Sequence, residues 1–301
     1  MAAHTKQVTR QARALCSIVT LALFAFAAAA PRAQTSSAPH RIISLIPAAT
    51  EMLFAIGAGP QVVGVGTYDT YPPQVKALPR IGALLDPDVE KMLSLKPDLV
   101  VVYATQDDLK AKLARAHIPI YDYRHAGLAD VTQTIRALGD RTGHQADATA
   151  VAERIERGLD DIRRRVGGRP RPRTLLVFGR ERRALRGIYV SGGRGFLDDM
   201  LRVAGGDNVF ADVRQESVQA TTEQILARRP DVILEIRATS SAWPYAGRQA
   251  EVRTWGALGS IPAVRNNRID FLIDDRLVVP GPRVVEGTML LAQALHPEVF
   301  K

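Results

Sequence analysis

Beyond residue 40 the chain alternates two hydrophobic rhythms, period two and period 3.6. Residues 41–47 (RIISLIP) and 61–68 (QVVGVGTY) read as strands. Between them, residues 48–56 read as a helix entered at Thr50 and Glu51 and stopped by Gly57 and Gly59. Residues 88–95 set Val89, Met92 and Leu93 at helical spacing before Pro97, and 99–103 is the unbroken apolar run of a strand covered on both faces. A helix at 109–116, a strand at 118–123 and a helix at 131–138 follow. Residues 146–166 predict a long helix, charged on one face and ended by Gly167, Gly168, Pro170 and Pro172. The alternation then restarts with strands at 174–178 and 188–190, helices at 196–204 and 222–227, and a strand at 232–236. A helix from about residue 250, a strand at 269–272 and a helix at 284–295 complete it. Strands separated by helices need crossover connections, so the fold class is α/β with mainly parallel sheets.

One pattern is written twice. EKMLSLKPDLVVVY begins at Glu90 and EQILARRPDVILEI at Glu223, each with Glu seven residues before Pro and each a short helix feeding a buried strand through Pro-Asp. Two copies so far apart indicate two similar lobes rather than a solenoid. The expected organisation is a first lobe over 40–143, a connecting helix over 144–168 and a second lobe over 172–301. Leu93 and Leu226 are expected to face inward, with the glutamates left to solvent.

Composition changes the picture at the amino terminus. Lys6, Arg10 and Arg13 precede the uncharged apolar run ALCSIVTLALFAFAAAA and then small residues, the order of a secretory signal peptide over 1–33. The competing reading, a retained membrane anchor, wants a run closer to ~20 residues. The formal charge of +9 falls to +5 once Lys6, Arg10, Arg13 and Arg32 are removed, and Cys16, the only cysteine, goes with them. That excludes a disulfide framework or a thiolate metal site, and the six histidines are too scattered for a histidine site. The arginine clusters at 163–165, 169–173 and 180–186 lack any recognition-helix or aromatic context, so they read as solvated surface and not as a nucleic-acid footprint.

In order, the segments SLIPAATEMLFAIGAG, VVGVGTYDTYPPQV, the paired Glu and Pro-Asp stretches, SGGRGFLDDMLRVAGGDNVF and IPAVRNNRIDFL resemble the periplasmic substrate-binding proteins of ABC importers for metal chelates. That family includes vitamin B12, ferric siderophore and haem binders, and TYDTYPP is most similar to the vitamin B12 branch. The resemblance implies two Rossmann-like lobes joined by one long helix, a monomer without cofactor, a chelate in the interlobe cleft and delivery to a permease dimer with its ATPase subunits. It also implies that Tyr68, Tyr103 and Tyr189 line a ring face, and that Asp275 and Arg276 make polar contacts. Glu90 and Glu223 would be the acidic side chains that dock each lobe on the permease.

Where the vitamin B12 branch carries tryptophans, this chain has Leu84, Tyr103 and Ser217. Trp243, in a polar loop, is a candidate to close over the ligand; Trp255 is expected in the core. The loop GRERRALRG is a candidate for the carboxylates of haem or a siderophore. A corrinoid is therefore the first expectation, with haem or a ferric siderophore as the alternative. An exported enzyme is disfavoured, because Gly64 and Gly66 lack the rest of a dinucleotide fingerprint, no phosphate-binding loop is present and Ser191 is not in a nucleophile elbow.

Overall fold

The structure is a computed structural model and describes residues 38–124, 126–241 and 248–300. The expected signal segment, and Trp243, lie outside the described residues. The described chain from Ala38 onward forms one compact unit, and no helix in it is long and apolar enough to cross a membrane.

Four strands, β1 (Ile42–Ser44), β2 (Val62–Val65), β3 (Leu99–Tyr103) and β4 (Ile120–Tyr123), form an all-parallel sheet in the order β2-β1-β3-β4. Helices α1 (Pro47–Ala55), α2 (Val89–Ser94), α3 (Asp107–Arg115) and α4 (Leu128–Thr142) accompany it. The long helix α5 (Gln145–Val166) follows. The second sheet contains β5 (Arg173–Gly179), β6 (Ile188–Ser191), β8 (Ser217–Ala220), β9 (Val232–Arg237) and β10 (Ile269–Ile273) in the order β10-β9-β5-β6-β8, with β7 (Asp207–Asn208) beside β5. Only β6 runs antiparallel to its neighbours, since it returns directly from β5 without a helix. Helices α6 (Phe196–Val203), α7 (Thr222–Arg228), α8 (Arg248–Trp255), α9 (Pro262–Arg265) and α10 (Val284–Leu295) complete the fold. The mainly parallel α/β expectation therefore holds. Both β7 and β8 escape the sequence pattern, β8 because SVQA is an edge strand without an apolar run.

Packing joins the two sheets through α5, which lies against α4 on one side and against α6 and α10 on the other. Its buried stripe of Val151, Ile155, Leu159, Ile162 and Val166 repeats at three and four residues, the spacing of one helix face. The larger hydrophobic core runs without a break from the first sheet through this stripe to Leu176, Leu234 and Ile236 of the second. On β5 and β9 the alternate residues, Leu175, Val177 and Ile233, point the other way into a smaller core around Phe210 and Trp255.

Both copies of the repeat fold alike. Asp88 caps α2 by accepting the Lys91 N–H at 2.9 Å, and Thr221 and Gln224 form a reciprocal capping box on α7. Each helix then turns through a left-handed residue, Lys96 or Arg229, both at φ 47°. The aspartate after Pro ties the turn to the first strand of its own sheet: Asp98 accepts the His40 and Arg41 N–H groups at 2.7 and 2.8 Å, and Asp231 accepts that of Arg173 at 3.1 Å. The inward-facing residues are Met92 and Ile225, so Leu93 and Leu226, next along each helix, are turned to solvent. This corrects the expectation for the two leucines. The caps fix the helical phase, and in helices this short only one apolar residue reaches the core.

A further link crosses between the halves. Arg283, just before α10, donates to the buried Glu51 of α1 through Nε at 2.8 Å and through Nη2, and lies 4.0 Å from the ring centre of Tyr71. The Leu128 N–H likewise donates to Asp199 of α6 at 3.0 Å.

Candidate functional site

In a parallel sheet the carboxyl ends of the strands open into loops, which is where α/β folds place ligands. Tyr68 follows β2 and is 69% exposed. Tyr103 ends β3, half-buried, with its ring 5.9 Å from that of Tyr123. Gln106 clips this end in place: its Oε1 accepts the Tyr103 N–H at 2.8 Å and its Nε2 donates to the Leu84 carbonyl at 2.7 Å. Burial pushes the Tyr103 phenol above its ordinary pKa, and the nearby carboxylate of Glu216, from the second half of the chain, pushes it further.

In the second half, Tyr189 of β6 is 42% exposed, with its ring 6.4 Å from that of Phe178. Phe178, with Phe196, Leu197, Val278 and Arg237, lines a cavity of about 360 Å³, to which the exposed Arg194 and Glu216 and the small Ser217 also contribute. Neither Arg237 nor Phe178 was singled out from sequence. The signal was a charge on each side of Ile236 in VILEIR: an acid inside a doubly covered strand requires a buried partner.

That partner set is extensive. Glu235 accepts from Arg180 at 2.9 and 2.8 Å, from the Trp255 indole at 2.6 Å and from Arg237 at 3.1 Å, and Glu251 pairs with Arg180 at 2.9 Å. Trp255 is in the core, as expected, but it is also a hydrogen-bond donor there. The arginine loop is thereby tied down by the protein's own carboxylates. Arg180 is buried, the Arg183 N–H donates to Glu251 and Arg186 pairs with Glu181.

Asp275 and Arg276 lie in the loop between β10 and α10 as expected. Asp275 accepts the Thr239 N–H at 2.8 Å, and Arg276 donates to Asp274 at 2.8 and 2.6 Å, which holds the Asp274 carboxyl below the usual range. Both side chains thus brace loops here. Glu90 and Glu223 are exposed in the first turns of α2 and α7, each with its leucine three residues on. The SGG turn that leads to Arg194 is held by Asn208, whose amide donates to the Ser191 and Gly192 carbonyls and to Asp198. A Cβ on Gly193 would lie 2.0 Å from the Ala211 carbonyl oxygen, so that turn requires glycine.

Asp69, the centre of TYDTYPP, is 1% exposed, and neither carboxylate oxygen has a hydrogen-bond partner among the described residues. Thr50 and Gly66 lie alongside without reaching bonding geometry. Burial raises its pKa to about 6, against the opposing pull of Arg80. A raised carboxyl pKa means the folded state holds a proton that the unfolded chain has released, so stability falls as pH climbs from about 4 through 6. The advantage of Asp69→Asn over the parent should therefore grow by roughly 2 to 2.5 kcal/mol between pH 4 and pH 7.5. Urea denaturation at both values measures this, and an unchanged difference refutes it.

The site thus offers aromatic and apolar surface with a few fixed charges, and no group of three metal-ligating side chains occurs among the described residues. The family model for periplasmic binding proteins matches residues 42–276. The chain belongs to the periplasmic binding protein family. This periplasmic binding protein is 32% identical over 270 residues to the uncharacterized ABC transporter substrate-binding lipoprotein YvrC of Bacillus subtilis, covering 87% of this chain and 82% of that one. Its fold matches that of the periplasmic vitamin B12 binding protein BtuF of Vibrio cholerae with a TM-score of 0.72 and 27% identity, over 87% of this chain and 98% of the other. It also matches the periplasmic heme-binding protein RhuT from Roseiflexus sp. RS-1, with a TM-score of 0.71 and 28% identity, over 88% and 100%. The two-lobed architecture of the family is thus the architecture of this chain.

Proposed function

We propose that this periplasmic binding protein captures a corrinoid of the vitamin B12 type, unchanged, between its two halves and hands it to an ABC permease. The observation that carries the reading is the half-buried Tyr103 at the carboxyl edge of β3, with the exposed Tyr68 on the same edge. Aromatic faces suit a large flat ring, because they provide contact area at little cost in side-chain entropy. The likeness to BtuF supports a corrinoid, and the equal likeness to RhuT makes haem the second reading. Export to the periplasm by the amino-terminal segment belongs to this reading, and amino-terminal sequencing of the secreted protein tests it.

Calorimetry with cobalamin should show one-to-one binding, and Tyr68→Ala or Tyr103→Ala should each weaken it by roughly 1 to 3 kcal/mol. Silence with cobalamin and cobinamide alongside tight binding of haem or a ferric siderophore transfers the assignment.

The duplicated helices supply the docking face in this proposal. Each offers an exposed acid, Glu90 or Glu223, beside an exposed leucine, Leu93 or Leu226, so a partner with one basic recess per lobe fits both copies at once. A twofold permease dimer has that symmetry.

A further inference from the structure

The loop that carries Tyr68 is held from both halves of the chain. On its own side, Arg80 donates through Nη1 to the Gly66 carbonyl at 3.0 Å and to the Asp69 carbonyl at 2.6 Å, one before Tyr68 and one after it. The buried Asp69 side chain roots the same loop in the interior, so residues 66–69 move as one piece. Two residues further on, the ring of Tyr71 lies 4.0 Å from the guanidinium of Arg283, which comes from the segment just ahead of α10.

Arg283 is not free to follow the loop. Its Nε and Nη2 both donate to the buried carboxylate of Glu51 on α1, and two parallel bonds fix the plane of the guanidinium. A residue of the second half is thus seated in the first, between α1 and the loop of Tyr68. Glu51, Tyr71 and Arg283 also line a cavity of about 320 Å³, and Tyr71 is 43% exposed, so the stack is not packed on every side. Attraction between the cation and the ring face therefore has a large part in deciding where the ring rests.

We propose that Arg283 and Tyr71 are positioning residues for the ligand: the second half of the chain, through the Arg283 guanidinium, sets where the Tyr71 end of the loop rests and so how Tyr68 is presented. Neither acts by touching the ligand. The inference rests on the reading of Tyr68 as a ligand-facing ring. By linkage, a ligand that holds Tyr68 in place favours the arrangement in which Arg283 is seated, and a seated Arg283 favours the ligand.

Tyr71→Leu keeps apolar bulk and removes the ring face. It should weaken cobalamin by ~5-fold or more in calorimetry with the thermal midpoint near that of the parent, whereas Tyr71→Phe, which keeps the face, should stay within ~2-fold. Non-additivity is the deciding readout. In a Tyr68→Ala background, Tyr71→Leu should change the affinity by less than ~2-fold, because its effect passes through Tyr68. Arg283→Lys keeps a cation for Glu51 and loses the flat stacking surface, so it should follow the same pattern, and it carries the test if Tyr71→Leu does not fold. No loss from Tyr71→Leu in the parent, or the full loss repeated in the Tyr68→Ala background, overturns the inference and leaves the corrinoid reading standing. If the parent binds haem and not cobalamin, the corrinoid reading falls, and the same variants read with haem decide the inference by the same outcomes. A parent that binds neither overturns the ligand reading and the inference together.

Discussion

Replacing Arg283 with methionine should cost roughly 3 to 5 kcal/mol of stability, because it strips the partner from a buried carboxylate. Glu51 is 5% exposed, and burial already raises its pKa against the opposing hydrogen bonds and charge of Arg283. Methionine keeps most of the arginine's volume, so the loss isolates charge from packing. The sign of the pH dependence follows from linkage. Without Arg283 the folded-state pKa of Glu51 rises further, so the folded protein retains a proton across a wider range than the unfolded chain does. The deficit of Arg283→Met should then be smallest near pH 4 and grow as the pH rises through neutrality. Adding Glu51→Gln should restore most of it, which a double-mutant cycle in urea at two pH values measures. A deficit below about 1 kcal/mol at pH 8 would show that the pair contributes little across the two halves.

Reversing both repeat charges, Glu90→Lys with Glu223→Lys, should abolish ligand-stimulated uptake in vesicles reconstituted with the permease while leaving cobalamin affinity and the unfolding midpoint near the parent values. Both side chains are exposed. Neither contributes to the core, because Met92 and Ile225 take the inward positions. Association with the permease should weaken, and the parent's affinity should fall as salt is raised. The exposed leucines predict a remainder that salt does not remove, since apolar contact is not screened. Normal uptake by the double variant refutes docking through this face and leaves the repeat as a record of two similar lobes.

Much of this was legible in the chain itself. The runs ending at Tyr103 and Ile236 announced buried strands, and the glycine and proline breakers marked the ends of α5. The repeat announced two similar halves. What was hidden depended on phase and on partners distant in sequence. A one-residue difference, Met92 against Leu93, decides which side of a six-residue helix is covered, and the apolar pattern alone does not choose. Glu235 meets Arg180 from 55 positions away, and Arg283 meets Glu51 from 232. Such pairs leave no local rhythm. The three tyrosines were singled out by resemblance, whereas the cavity lined by Phe178, Phe196 and Arg237 arises from residues that no motif singles out.

The unbroken core beneath α5 has a thermodynamic consequence. A molecule with two sheets invites the expectation of two melting events, one for each half. Here the stripe from Val151 to Val166 is shared by both sheets, so neither half can lose its packing without exposing apolar surface of the other. Heating should produce a single calorimetric transition, with matching van't Hoff and calorimetric enthalpies. A fragment cut after α4 would lack the surface that covers its own helices, and should populate an expanded, dye-binding state rather than a folded lobe.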